Sequence, residues 1–305
     1  EQARVQLTGR LRGSPYRELL PIEGNQGLAR LPLPVPGDIF LDLEGDPFAR
    51  DGGREYLFGL VWVQDGSLAH RAFWAHNDAE ERSAFEATIS VILESWEANP
   101  TMHVYHYAPY EPSALKRLMG RHATREADVD RMLRAGLFVD LYAVVKHALR
   151  ASVERYSIKD LEPFFSFTRS VDLADARAHL RVVERALELD AINAITKEDR
   201  EVVEGYNRDD CVAALRLRDW LEGLRNELES GGKTIPRPGA VQAEPSEQLS
   251  KYEKRVRELM AGLMVDVPPD ITDRNSEQQA RWLLANLLEW HRREDKTAWW
   301  EFFRL

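Results

Sequence analysis

The sequence predicts an α/β protein in which a mixed β-sheet carries helices on both faces, followed by a helical C-terminal extension. Two observations lead to this fold class. Three strand-like segments come first, and the segments after them alternate between helical and extended patterns. Early antiparallel strands followed by α/β crossovers build a mixed sheet that is covered on both faces. The length of 305 residues suits one large domain with appendages.

The strands are predicted from runs of β-branched and aromatic residues. The run DIFLDLE begins at residue 38, and residues 54–75 read as two strands joined by the turn QDGS. The Asp-Gly pair in that turn supplies the positive φ angles that a tight hairpin needs. MHVYHYA, residues 102–108, is a short strand, and GLFVDLYAVVKHAL, residues 136–149, reads as a strand running into a helix.

The helices are predicted from apolar residues at helical spacing. Residues 78–97 follow this pattern after an Asp cap, residues 112–123 form a helix opened by Pro112, and residues 198–228 form a long helix. Residues 231–245, rich in Gly and Pro, read as a linker. Two amphipathic helices come after it, and the second opens with a capping box from Ser276 to Gln279.

Composition limits the protein class. Hydrophobic residues make up 44% and charged residues 30% of the chain, as in ordinary globular proteins. No apolar run approaches the ~20 residues of a membrane helix, and we expect no membrane partner. The single cysteine, Cys211, excludes an internal disulfide and fits a reducing cytosol, so a cytoplasmic location is predicted.

The charge distribution leaves nucleic-acid binding open. The net charge of −10 argues against it, but residues 116–159 hold ten Lys/Arg and five Asp/Glu. A basic face is enough to hold a phosphate backbone, although a solvated helix surface explains the same charges. The candidate nucleic-acid contacts are Lys116, Arg117, Arg121 and Lys159.

Three carboxylates end the first long strand. Because residues i and i+2 of a strand share a face, Asp42 and Glu44 point together, whereas Gly45 and Pro47 turn Asp46 away. Two adjacent carboxylates repel each other, and a divalent cation removes that conflict. An Asp-x-Glu pair on a solvent-facing edge strand is the alternative.

Two later segments supply further acids. YHYAPYE places Glu111 at the start of a helix, and YNRDDC places Tyr206 and Asp210 four residues apart on one helix face. Asp209 is a rival for Asp210, but only Asp210 has the four-residue spacing from Tyr206.

These motifs resemble those of the DEDD exonucleases. That family has Asp-x-Glu in its first strand, a carboxylate after a later strand and, in its tyrosine branch, Tyr-x-x-x-Asp on a late helix. The chain departs from it at Tyr107, where Asn is usual, and at Glu111, where Asp is usual. The resemblance implies a ribonuclease-H-like mixed five-stranded sheet flanked by helices.

The resemblance also implies a mechanism. Two Mg²⁺ or Mn²⁺ ions would be held by Asp42, Glu44, Glu111 and Asp210, and Tyr206 would hydrogen-bond the attacking water. The expected activity is phosphodiester hydrolysis, as a 3′-5′ exonuclease on single-stranded DNA in DNA repair or processing. An exonuclease directed at RNA is the alternative.

A closer resemblance covers the chain from about residue 3 to its end. FLDLEGDPF, MHVYHYAPYE, SIKDLEPFF and YNRDDC are similar to segments of bacterial RecB-like nuclease/helicase fusion proteins, and LEWHRREDKTAWWEFFRL resembles the segment leading into their helicase. We therefore expect a fragment of a longer polypeptide whose RecB-like nuclease and helicase modules are the partners. The predicted parts are an N-terminal segment (1–36), the exonuclease domain (37–230), a linker (231–245) and a helical extension (246–305).

Other patterns are compatible with either a structural or a functional role. His103 and His106 form an H-x-x-H pair, but without a third soft ligand local hydrogen bonding is favoured over zinc. Asp140 is expected to hold a helix N-terminus, and a position supporting a metal ligand is the alternative. The aromatic residues at the C-terminal end are expected to pack on another domain rather than to stack bases: Trp299, Trp300, Phe302 and Phe303.

Two rival classes stay open. One is a non-catalytic module that uses the basic stretch to hold nucleic acid, and the substitution at Glu111 motivates it. The other is a hydrolase with a carboxylate pair, such as a glycosidase, which needs no metal.

Overall fold

The computed structural model describes residues 1–49, 52–239, 247–268 and 271–288. Seven strands are found in this part of the chain: β1 (Arg17–Leu19), β2 (Ile39–Asp46), β3 (Arg54–Gln64), β4 (Ser67–Trp74), β5 (Val104–His106), β6 (Phe138–Asp140) and β7 (Leu149–Ala151). The α-helices in the same residues are α1 (Gln2–Arg12), α2 (Asp78–Ala98), α3 (Tyr110–His122), α4 (Glu126–Arg134), α5 (Leu141–Ala148), α6 (Ile158–Leu161), α7 (Leu173–Glu188), α8 (Lys197–Ser230), α9 (Glu247–Met264) and α10 (Ser276–Leu287).

Five strands form the predicted mixed sheet, in the order β4-β3-β2-β5-β6. Strands β2, β3 and β4 are antiparallel neighbours, whereas β5 pairs parallel with β2 and with β6. The strand that carries Asp42 is therefore central, and the predicted ribonuclease-H-like architecture with a helical C-terminal region is confirmed. Strands β1 and β7 form a separate antiparallel pair.

The β3–β4 hairpin has the predicted two-residue turn. Asp65 and Gly66 both have positive φ, 51° and 78°, and Gln64 pairs with Ser67 across the turn. This geometry matches the right-handed twist of the flanking strands.

Three helix starts differ from the sequence prediction by one or two residues. Asn77 rather than Asp78 caps α2, because its side chain accepts the Glu80 N–H. Helix α3 begins at Tyr110, so Pro112 lies within the first turn, where its missing N–H has no intrahelical partner to lose. The capping box of α10 joins Asn275 and Gln278, one residue before the predicted pair.

The alternation of β2 divides the core. Leu41 and Leu43 face α2 and α3 with Ile39, whereas Phe40 faces the opposite side, where α5 and α8 pack. Asp42 and Glu44 have the same parity as Phe40, so they point toward the α8 side. The sheet thereby presents the two acids to the one long helix that carries the late motif.

The segments before and after the sheet domain contact it. Arg225 of α8 is buried and donates to the carbonyls of Leu28 and Ile235, which joins residues from both segments. The domain boundaries at 36, 230 and 245 stay predictions. The C-terminal aromatic residues and residues 289–305 of the helicase-leading segment lie outside the described residues.

Among the helices described above, none combines the length and apolar character that a bilayer span requires.

Candidate metal centre

The centre begins with Asp42 and Glu44 at the carboxyl end of β2. Both side chains are half-buried, and the alternate residues Leu41 and Leu43 are in the core, as the period-two pattern predicts. The register with β3 shifts between Glu44 and Gly45. This irregularity ends the alternation, and the Asp46 carboxylate accepts the Phe48 N–H beyond it. Asp46 is thus used in the turn.

Helix α8 reaches β2 through an unusually close contact with β3. A Cβ atom at Gly59 would overlap with the side chain of Asn207, so glycine is needed for this approach. The Asn207 Nδ2 atom donates to Asp42 Oδ2 at 2.7 Å and to the Asp42 carbonyl at 3.2 Å. Asn207 therefore fixes the orientation of the Asp42 carboxylate.

Three carboxylates converge at this contact. Asp42, Glu44 and Asp210 each offer one oxygen, and the three oxygens lie within 4.8 Å of one another. Burial, followed by the charges of Glu44, Asp210 and Glu111, raises the pKa of Asp42. Burial and Asp210 raise the pKa of Glu44 to about 8. Oxygen ligands at this spacing, on groups that repel one another, fit a divalent cation such as Mg²⁺ or Mn²⁺.

Glu111 lies at the start of α3 and is outside this group of three. Its side chain is buried, with Oε2 3.5 Å from His106 Nδ1 and without a hydrogen-bond partner. His106 Nδ1 instead lies 2.6 Å from the Ala108 carbonyl oxygen. Burial raises the pKa of Glu111, and His106 offsets part of that rise. An unpartnered buried carboxylate oxygen close to the cluster is a further feature that fits a cation.

Two cations contact Asp210. Lys159 Nζ donates to Asp210 Oδ2 at 3.0 Å, and Arg169 donates to Asp210 Oδ1 at 2.6 Å. Arg169 is 7% exposed and is also bound to Glu162 through two nitrogens. The sequence analysis identified Lys159 but missed Arg169 and Glu162.

Tyr206 lies between the same two cations. The Lys159 ammonium is 4.9 Å and the Arg169 guanidinium 5.6 Å from the centre of its ring. Burial, with Asp210 and Glu44, raises the pKa of Tyr206 well above its ordinary value. The hydroxyl is therefore protonated near neutral pH and suited to donate a hydrogen bond.

Asp209 and Asp140 have structural partners. Asp209 accepts hydrogen bonds from the backbone N–H groups of Ser170 and Val171 and from the Ser170 hydroxyl. These bonds tie α8 to the loop that precedes α7. Asp140 caps α5 through the Tyr142 N–H and also accepts the Ala108 N–H. The expected capping role of Asp140 is confirmed, and it is Asp210 that joins the carboxylate group.

The three candidate nucleic-acid residues on α3 have different surroundings. Arg117 forms an ion pair with Glu55. Arg121 binds Glu81 and the carbonyls of Gly52 and Gly53. Lys116 is half-buried on the same helix. Contact of these residues with nucleic acid stays a prediction.

Openings flank the carboxylates on two sides. A cleft of about 350 Å³ is lined by Asp42, Asp210 and Lys159 together with three tyrosines. A second depression of about 630 Å³ reaches Glu44 from the side of Tyr110 and Arg117. The carboxylate group is therefore bordered by two openings, one beside Asp42 and Asp210 and one beside Glu44.

A family model of the RNase H superfamily (RNase_H_2) matches residues 39–222. The match covers more than half of the chain and includes every member of the carboxylate group, so the chain belongs to the RNase H superfamily. This membership indicates a nuclease, and the acidic group is compatible with divalent metal. Comparison with curated proteins and with solved structures returned no significant match.

Proposed function

We propose that this protein is a DEDD-type nuclease of the tyrosine branch that shortens single-stranded DNA from its 3′ end, with Mg²⁺ or Mn²⁺ as cofactor. The observation that carries the proposal is the convergence of Asp42 and Glu44, from the central strand, with Asp210, from the long helix. These residues are far apart in sequence, and folding brings together groups that repel one another. A stable protein has little reason to build such a cluster unless a cation occupies it.

The residues of the site have different roles in the proposed reaction. Asp42, Glu44 and Asp210 would hold the metal, with Glu111 as the fourth carboxylate. Divalent ions bound there supply Lewis acidity that activates water and stabilises the leaving oxygen. Tyr206 keeps its proton and orients the attacking water through a hydrogen bond. Asn207 and Arg169 hold Asp42 and Asp210 in place, because each donates to the carboxylate concerned.

The cations near Asp210 support an anionic substrate. Lys159 is within hydrogen-bond distance of Asp210 and still 31% exposed at the side chain. A partly exposed ammonium at the edge of the cleft is suited to meet a phosphate oxygen. We also propose that RecB-like nuclease and helicase modules belong to the same full-length polypeptide, as the sequence resemblance implies.

The test is incubation with 5′-labelled single-stranded and duplex DNA and RNA, with Mn²⁺ and with EDTA. We expect successive shortening of linear single-stranded DNA with Mn²⁺ and none with EDTA. Activity that survives EDTA would favour a metal-independent hydrolase. Equal cutting of circular and linear single strands would leave the nuclease in place but remove the exonuclease assignment.

A non-catalytic nucleic-acid module is the second candidate. It is favoured by one observation, namely that Glu111 is outside the group of three carboxylates whose oxygens lie within 4.8 Å. Calorimetric titration with Mn²⁺ separates the candidates. A nuclease should bind Mn²⁺ through Asp42, and the Asp42→Ala protein should not, whereas a non-catalytic module should bind the ion weakly in both forms.

A further inference from the structure

The cleft beside the carboxylates has an aromatic wall that the proposed chemistry does not use. Tyr107, Tyr142 and Tyr156 line the same cleft as Asp42 and Asp210, and all three tyrosines are half-buried. A volume of about 350 Å³ is within the range of small-ligand pockets. Side chains of this type are the ones on which nucleobases stack.

The three tyrosines are held as a rigid unit. The Tyr107 hydroxyl donates to the Tyr156 carbonyl at 2.5 Å, and the Tyr156 hydroxyl accepts the Ala151 N–H at 2.9 Å. The rings of Tyr107 and Tyr142 meet edge to face, with their centres 5.7 Å apart. A wall built this way needs little ordering when a planar ligand enters, which lowers the entropic cost of binding.

Two lysines border the tyrosines, together with the carboxylates of Asp42 and Asp210 that line the same cleft. Lys146 is exposed, and its ammonium lies 5.5 Å from the Tyr142 ring and 5.9 Å from the Tyr156 ring. Lys159 also lines the cleft, where its ammonium donates to Asp210. Aromatic rings flanked by lysines combine the two contacts that single-stranded nucleic acids make with proteins, namely stacking and phosphate pairing.

We propose that the cleft of Tyr107, Tyr142 and Tyr156 is a base-stacking subsite for an unpaired nucleotide next to the scissile phosphate. This inference rests on the proposed nuclease function for its choice of ligand. A duplex holds its bases inside, so the subsite selects unpaired strands with little preference among bases. Tyr107 then has a role of its own at the position where the DEDD family usually has Asn.

The main test is oligothymidylate binding, measured by fluorescence anisotropy in EDTA so that cleavage does not interfere. Tyr142 is the best position to change, because its ring lines the cleft without the backbone hydrogen bonds of the other two tyrosines. Tyr142→Leu should weaken binding roughly ten-fold, the scale of one lost stacking contact. Tyr142→Phe keeps the ring and should bind like the wild type. Tyr16→Leu is the matched control, since Tyr16 is another half-buried tyrosine with a cation, Arg12, over its ring.

An abasic oligomer of the same length separates stacking from phosphate contact. The wild type should bind the abasic oligomer about as weakly as Tyr142→Leu binds oligothymidylate. The affinity of Tyr142→Leu for the abasic oligomer should equal that of the wild type. Equal weakening of both oligomers by Tyr142→Leu would overturn the subsite, because a stacking contact needs a base. Unchanged oligothymidylate binding would overturn it as well.

A second measurement needs no variant. An oligonucleotide with iodouracil should photo-cross-link to the cleft tyrosines, and peptide mapping that places the cross-links only elsewhere contradicts the proposal. The outcomes also separate this inference from the proposed function. Binding that depends on the Tyr142 ring, without metal-dependent cleavage, would support the subsite and reject the nuclease. Metal-dependent cleavage with binding that does not depend on the ring would support the nuclease and reject the subsite.

Discussion

Two groups of acids beside this sheet show opposite electrostatics. Glu81 of α2 is fully buried, and it accepts the Glu55 N–H and pairs with Arg121 and His122. Although burial opposes it, His122, the Glu55 amide and Arg121 lower the pKa of Glu81 below its ordinary value. Asp42 and Glu44 meet other carboxylates instead, and their pKa values are raised.

The difference separates an acid whose charge is balanced within the fold from acids whose arrangement could hold a metal ion. Glu81 has its counter-charges within the protein, so its carboxylate is ionised and structural. The Asp42 cluster has three close carboxylates, and within the described part of the chain its ion pairs with Lys159 and Arg169 are both made by Asp210. Burial alone therefore does not identify the site, but burial without full compensation does.

The largest effect should come from Asp42→Asn. This change removes a proposed metal ligand with almost no change in volume, and we expect cleavage of single-stranded DNA to fall by at least about 1,000-fold, on the scale of a strong transition-state electrostatic group. The melting temperature in EDTA should not fall, because the substitution relieves repulsion with Glu44 and Asp210. A large loss of thermal stability would mean that Asp42 belongs to the same class as Glu81.

Glu81→Gln should have the converse effect. Arg121 and His122 would lose a buried partner, and the free energy of unfolding should fall by about 3 kcal/mol. Urea denaturation measures this loss. The affinity for Mn²⁺ at low temperature, where the variant stays folded, should match that of the wild type. An equally strong loss of Mn²⁺ affinity would contradict the separation of the two acid groups.

Gly59→Ala tests the contact that assembles the centre. The added methyl group would collide with Asn207, and we expect the free energy of unfolding to fall by about 1–3 kcal/mol, as for other overpacked cores. Because Asn207 orients Asp42, Mn²⁺ affinity should fall as well. Gly223→Ala is the control. Gly223 is on α8, the helix that carries Asn207, a Cβ at this position meets nothing within 4 Å, and alanine favours the helix. A Gly59→Ala protein as stable as the wild type would show that α8 is free to move.

The last prediction concerns pH and metal removal. Glu44 has a folded pKa of about 8, above its ordinary value of 4.5, so between these values the folded state binds more protons than the unfolded state. In EDTA, stability should therefore decrease as pH rises from about 5 to about 8, and Mg²⁺ should restore it most at the alkaline end. Thermal melts across this range measure the slope, and Asp42→Asn should flatten it. A slope of the opposite sign would mean that the cluster is already neutralised.

The sequence predicted one half of the site better than the other. Period two placed Asp42 and Glu44 on one face, and the four-residue spacing placed Asp210 with Tyr206, because both rules act within one element. Asn207 was missed although it precedes Asp210 by three residues and shares its helix face. Arg169 gave no signal at all, since it lies in a loop without periodicity and meets Asp210 only after folding.

The ion-pair partners of the basic residues could not be predicted from the sequence either. The sequence shows that Arg117 and Arg121 are cations on one helix, but their partners Glu55 and Glu81 come from other elements. The same limit applies to Glu111, whose place after a strand was predicted, whereas its contact with His106 and its distance from the three carboxylates depend on how α3 packs.

The contact of Gly59 with Asn207 has a consequence for evolution. One residue is on a strand and the other on a helix nearly 150 residues later, yet the Asn207 side chain occupies the space that a side chain at position 59 would need. Homologous genes should therefore vary at these two codons together. A lineage that acquires alanine or serine at position 59 should also carry a residue smaller than asparagine at position 207, and would then need another donor to hold its first aspartate.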